Sequence, residues 1–242
     1  MVVRVFPVHM ALGMRNDDPD RLQIPELPTL EAGISLLETD HDPRFPLNTL
    51  AIDELLLNSG SAIWLGVGRF ATTGSILDIA PDRRVLERIH IARGFNPYQH
   101  STLVDSLAEQ VTADTAIIVA PELDRRYRDC DLRDGEGQEM LLRSLAKLAR
   151  LGREHEIPVL VTQATDDEFA APIQAAAQAT IEFCETAAGP RFVGEEFETL
   201  VYPLENGWVQ TTIAFWQEVL KARQPIHGTS TISPGMLARQ SN

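Results

Sequence analysis

The sequence predicts an α/β domain: a RecA-like arrangement with a mainly parallel central sheet flanked by helices, extended by antiparallel β structure toward the carboxyl end. Three observations predict the class. Short apolar runs alternate with helix-patterned stretches from residue 34 to residue 178, which is the signature of strand–helix–strand crossovers. The run Ala62-Ile63-Trp64-Leu65-Gly66-Val67 is apolar at every position, as a strand covered on both faces of a parallel sheet requires. After residue 180 the segments become strand-like without intervening helices, and Asn206-Gly207 is a hairpin turn pair. A chain of 242 residues with 44% hydrophobic content supplies one sizeable core. It divides into an amino-terminal strand and polar loop (1–26), a core domain (27–225) and a small, polar tail expected to be flexible (226–242).

Taken in order, residues 1–10 read as a strand, Arg15 to Asp20 as a polar loop, and Ile34-Ser35-Leu36-Leu37 as a short buried strand. Leu47, Leu50, Ala51, Ile52, Leu55 and Leu56 recur at helical spacing, so 47–58 is a helix with a wide apolar face, ended by Asn58-Ser59-Gly60. The strand 62–67 follows, then a strand at 88–92, a helix at 101–111, a strand at 116–119 and a long helix at 136–154. Residues 158–162 form the next strand and an alanine-rich helix lies near 169–178. Ile181-Glu182-Phe183, 198–202 and 208–213 are read as antiparallel strands.

Composition narrows the function. The net charge is −14, and only two of the 21 basic residues, Lys147 and Lys221, are lysine. An acidic, lysine-poor surface suits a salt-rich cytoplasm, and the chain reads as a halophilic archaeal protein. The same balance argues against coating nucleic acid, an affinity that comes mainly from cations and weakens with salt. No window has the length and apolarity of a membrane span and the start has no signal-peptide pattern, so a cytoplasmic protein is expected. Cys130 and Cys184 lack metal-site or disulfide spacing.

Three segments resemble the RecA/RadA recombinase ATPases. Arg88-Ile89-His90-Ile91-Ala92-Arg93-Gly94-Phe95-Asn96, with the helix running to Leu103-Val104, is similar to a strand-and-helix segment of archaeal RadA. Glu136 to Leu145 resembles a helix of that family, and Ile157-Pro158-Val159-Leu160-Val161-Thr162-Gln163 one of its strands. The resemblance implies a nucleotide-binding loop of the form GxxxxGK[ST] after the strand ending at Leu37, where freed backbone N–H groups and a lysine would hold phosphates. The interval here is Glu38-Thr39-Asp40-His41-Asp42-Pro43-Arg44-Phe45-Pro46, with no glycine and no lysine. Ala120-Pro121 stands where the resemblance implies a magnesium-holding aspartate, and Val67 where it implies a catalytic glutamate. The expectation is a RadA paralogue with degenerate Walker motifs, neither ATPase nor bearer of a cofactor or metal, acting through a protein partner in recombination or repair.

No GxSxG, HExxH or Cys/His cluster offers a replacement chemistry. His90 is read as a hydrogen-bonded core residue on a central strand, His155-Glu156 as a helix-end cap, and Asp166-Asp167-Glu168 as a solvated helix start or a metal site. The candidate partner-binding residues are Arg125, Arg126, Tyr127 and Arg128, three cations around an aromatic in an acidic chain. Three readings fit them: pairing with Asp124, Asp129 and Asp131, an interface anchor, or nucleic-acid contact. The partner expected is a RecA-family recombinase or a second copy of the chain, with a degenerate pocket that takes some other small ligand as the alternative.

Overall fold

The computed structural model of the protein describes residues 27–129, 131–186, 189–195, 197–199, 217 and 219–221. The strands expected at 1–10 and 208–213, most of that at 198–202, the Asn206-Gly207 turn, the tail and Cys130 lie outside the described residues.

The elements are β1 (Gly33–Glu38), α1 (Arg44–Leu57), β2 (Ser61–Gly66), a short α2 (Gly74–Leu77), β3 (Ile89–Arg93), α3 (Pro97–Gln110), β4 (Thr115–Ala120), α4 (Glu136–Glu154), β5 (Pro158–Val161), α5 (Ala171–Ala176), β6 (Ala179–Thr186) and β7 (Gly189–Val193). They build a seven-stranded sheet in the order β3-β2-β4-β5-β1-β6-β7. Every pairing is parallel except β6 with β7. Alternation along each strand sends side chains to two faces. On one face Leu37, Trp64, Ile117, Val119 and Leu160 pack with Leu47, Leu50, Ile52 and Leu55 of α1. On the other, Ile34, Leu36, Ile63, Leu65, Ile118 and Val161 pack with α3, α4 and α5. Helix α4 follows directly from its sequence, since Leu141, Leu145, Leu148 and Leu151 form one buried stripe. Among the described residues no helix is long and apolar enough to cross a membrane.

Four expectations need correction. β3 is the sheet's edge strand, not a central one, so His90 is exposed. β6 is antiparallel to β7, as expected of 181–183, but it also pairs in parallel with β1, and β7 carries too few apolar residues to be read as a strand. Helix α3 begins at Pro97, because Asn96 Oδ1 accepts the Gln99 N–H at 2.8 Å and proline suits the first helical position. Helix α1 begins at Arg44 and has no polar face between Pro46 and Leu55: Asn48, Thr49, Asp53 and Glu54 are buried with the leucines.

Between α3 and α4 lies a buried polar chain. Tyr127 Oη stands 2.8 Å from His100 Nδ1 and 2.7 Å from Ser144 Oγ, and all three residues are about 1% exposed. The tyrosine reaches inward because Gly137 of α4 abuts its backbone: a Cβ there would overlap the Tyr127 carbonyl oxygen.

Candidate functional site

A crevice of about 420 Å³ opens at the carboxyl ends of β1, β4 and β5 and along β6, the position where open α/β sheets place ligands. β1 ends at Glu38, and the chain turns through Thr39 to Pro43 along the crevice wall. Asp42 closes this turn by accepting the Arg44 backbone N–H at 3.1 Å and its guanidinium Nε at 2.8 Å. Although burial alone would raise the Asp42 carboxyl, these bonds and the Arg69 charge hold it below the usual carboxylate range. Arg69, in the loop after β2, spans the mouth, 3.6 Å from Asp42 and 3.2 Å from Glu122.

Glu122 follows β4 and is the focus of the wall. It is 3% exposed and held at φ 44°, a backbone region that non-glycine residues seldom occupy and that costs on the order of 1 kcal/mol. The Thr162 hydroxyl oxygen stabilises that turn by accepting the Glu122 N–H at 2.8 Å, and the Thr162 carbonyl accepts from Leu123 N at 3.0 Å. The Glu122 carboxylate is bracketed by Arg69 and Arg125.

The electrostatics are decided by the rest of the wall. Glu38, Asp40, Glu122, Asp166, Glu182 and Glu185 face the crevice, and Arg69 is the arginine among its lining residues. Burial raises the Glu38 carboxyl, and the charges of Asp166 and Glu182 raise it further. Pro43 and Pro46 carry no N–H, so the loop after β1 offers no continuous row of backbone donors. Cys184 also lines the crevice; burial and its hydrogen bond to Glu182 Oε1 at 3.3 Å push the thiol up, away from the reactive thiolate. No group of three or more His, Cys, Asp or Glu side chains among the described residues is disposed to hold a metal. The arrangement repels anions and leaves room for a neutral or cationic group.

The run Arg125–Arg128 forms a 3-10 turn beside this crevice. Tyr127 is 1% exposed and contributes no surface. Arg125 pairs with Glu122, and Arg128 pairs with Asp124 through Nε and with both oxygens of Asp167 at 2.7 and 2.8 Å. Its guanidinium also lies 4.7 Å from the Phe169 ring centre. The carboxylates engaged are thus Glu122, Asp124 and Asp167, where the sequence suggested Asp124, Asp129 and Asp131. Arg126 is half-buried and its charge bears on His100.

The acidic run 166–168 is divided in its work. Asp167 accepts the Phe169 and Ala170 N–H groups at 3.1 and 3.2 Å ahead of α5, and Arg128 holds its carboxyl down to about 2. Asp166 accepts from Gln174 Nε2 at 2.7 Å. The His155 N–H donates to the Leu151 carbonyl at 3.0 Å, closing the end of α4.

Two features escaped sequence reasoning. Arg69 and Thr162 meet Glu122 only because β2, β4 and β5 adjoin, and no local pattern marks that meeting. Phe95 and Tyr98 stand 72% and 56% exposed around the start of α3, and their spacing carries no sign of it. The chain matches no protein-family model and no curated protein.

Proposed function

We propose that the chain is a RecA/RadA-like protein that has set aside phosphoryl transfer and acts by binding another protein, either a recombinase or repair component of related fold or a second copy of itself. The observation that carries this reading is the sign of the crevice, where among the described residues six carboxylates stand against one arginine already shared by Glu122 and Asp42. A nucleotide needs the opposite field and a row of donors. Supporting the relationship, the three resembling segments are β3 with α3, α4, and β5, all parts of one core. The partner surface proposed joins the exposed Phe95 and Tyr98 to Arg125 and Arg126, whose turn packs on α3; aromatic and arginine side chains dominate binding energy at interfaces.

Two measurements test it. Melting in high potassium chloride is expected to be unchanged by Mg-ATP, ADP or GTP, because a ligand that binds the native state must raise the melting temperature. A rise of several degrees with any of them, on the order of 2 kcal/mol at saturating nucleotide, would overturn the crevice argument. Affinity capture from a nuclease-treated, salt-rich lysate is expected to retain a specific protein, and Phe95→Ala with Tyr98→Ala, or Arg125→Ala with Arg126→Ala, to lose it. Full retention by both double variants would show that the surface is wrongly placed.

A second reading rests on the crevice itself. It keeps the volume of a ligand site, and Gln163 Oε1 within its wall is buried without a hydrogen-bond partner. A sensor of a small neutral or cationic ligand fits that chemistry. Accessory DNA binding fits least, since the carboxylates would meet phosphates.

A further inference from the structure

The exit from α1 concentrates unfavourable conditions for a negative charge on one side chain. Glu54 lies in the last turn of the helix and is 8% exposed. Its Oε1 accepts one hydrogen bond, from Asn58 Nδ2 at 2.6 Å, and the same amide reaches the Glu54 carbonyl at 3.2 Å. Asp53, 3% exposed, is its sequence neighbour. The unpaired carbonyls that end a helix add a negative potential at this position.

Among the described residues no cation reaches Glu54 from the elements packed on α1. β2, β4 and α2 contain no charged residue. In the 3-10 turn Arg83–Arg88, Arg83, Arg84 and Glu87 are exposed. Arg88 directs its Nε to the Gly60 carbonyl at 2.7 Å and its Nη2 to the carbonyls of Asn58 and Gly60. Asp114, whose carbonyl accepts from Ser61 N at 2.7 Å, and Lys221 are exposed. Among the described residues the charged groups around Glu54 are therefore a second acid and an arginine committed to backbone.

We propose that the carboxyl-terminal turn of α1 and the Asn58–Gly60 turn behind it form a proton-operated latch, closed while Glu54 is the neutral acid and released when it becomes the carboxylate. The neutral acid keeps the Asn58 bond and adds no buried charge. The carboxylate regains water only if the last helical turn opens, which also frees the carbonyls that Arg88 clamps. Since Arg88 directly precedes β3, release loosens the anchor of the sheet's edge strand. Burial, with Asp53 secondary, pushes the Glu54 carboxyl up to about 7, so the latch works near neutrality.

Hydrogen exchange of the full chain from pH 4.5 to 8.5, corrected for intrinsic rates, tests this. Peptides covering 54–61 are expected to lose protection by about tenfold per pH unit as pH rises from 4.5 toward about 7 and to level off above it, while α4 peptides do not. Glu54→Gln is expected to stay at the protected, pH-independent level. A flat wild-type profile, or the same pH dependence in Glu54→Gln, overturns the latch. Should Glu54→Gln misfold, the carboxyl carbon shift of Glu54 in wild type decides: a midpoint near 7 supports the latch and one near 4.5 refutes it.

Discussion

Arg128→Ala is expected to lower the unfolding free energy by about 3–5 kcal/mol, the usual loss when one partner of a buried ion pair is removed. The reason lies in its carboxylate partner. The Asp124 side chain is fully buried and Arg128 is 23% exposed, so deletion of the guanidinium leaves Asp124 with the Ala164 N–H, at 2.7 Å, as its remaining donor. The same deletion releases Asp167 from its two-pronged contact and uncovers the Phe169 ring. At roughly 2–4 °C per kcal/mol for a chain of this size the melting temperature should fall by about 10 °C, with little relief from salt because the pair is shielded from solvent. Arg128→Lys should lie between, as an ammonium keeps the charge but not the fork. A fall of a degree or less in Arg128→Ala would mean that the pair adds nothing. This is also why Arg128 is unsuited to mapping a partner: loss of binding there would report loss of fold.

Tyr127→Phe is expected to cost about 1–3 kcal/mol, since it strips His100 Nδ1 and Ser144 Oγ of their shared partner in a buried site. Tyr127→Ala should cost about 3–5 kcal/mol through the cavity it adds. The same network sets an acid limit. Burial first, and the Arg126 charge second, depress His100 to about 4 from its ordinary 6.5. For a base held neutral in the fold, the stabilisation is complete above 6.5 and is lost as pH falls from 6.5 through about 4. That loss is on the order of 3 kcal/mol. Glu54 has the opposite sign, because a raised carboxyl favours the fold at low pH and loses that advantage as pH rises from 4.5 through about 7. The clean observable is the difference between wild type and His100→Gln in urea midpoints at pH 7.5 and 4.5. The variant should lose less on acidification, and equal losses would show that His100 is not the titrating group.

By itself the sequence determined the class of the protein and most of its elements, because hydrophobic periodicity is local. The leucine stripe of α4, the all-apolar run of β2 and the helix stop at Asn58 were legible for that reason. It also determined that the loop after β1 has neither glycine nor lysine, which is what motivates the proposal of a fold without phosphoryl transfer. Only the tertiary structure decided which strand lies at the edge, and so exposed His90, Phe95 and Tyr98. It alone paired Arg125 with Glu122 and Arg128 with Asp124 and Asp167, and turned Tyr127 from a surface anchor into a buried link between α3 and α4. Nothing in the sequence singles out Glu54, which is buried because the sheet and its neighbours close round α1. The physical reason is common to all of these: burial and charge pairing are set by which segments become neighbours in space, and the spacing of residues along the chain does not encode that.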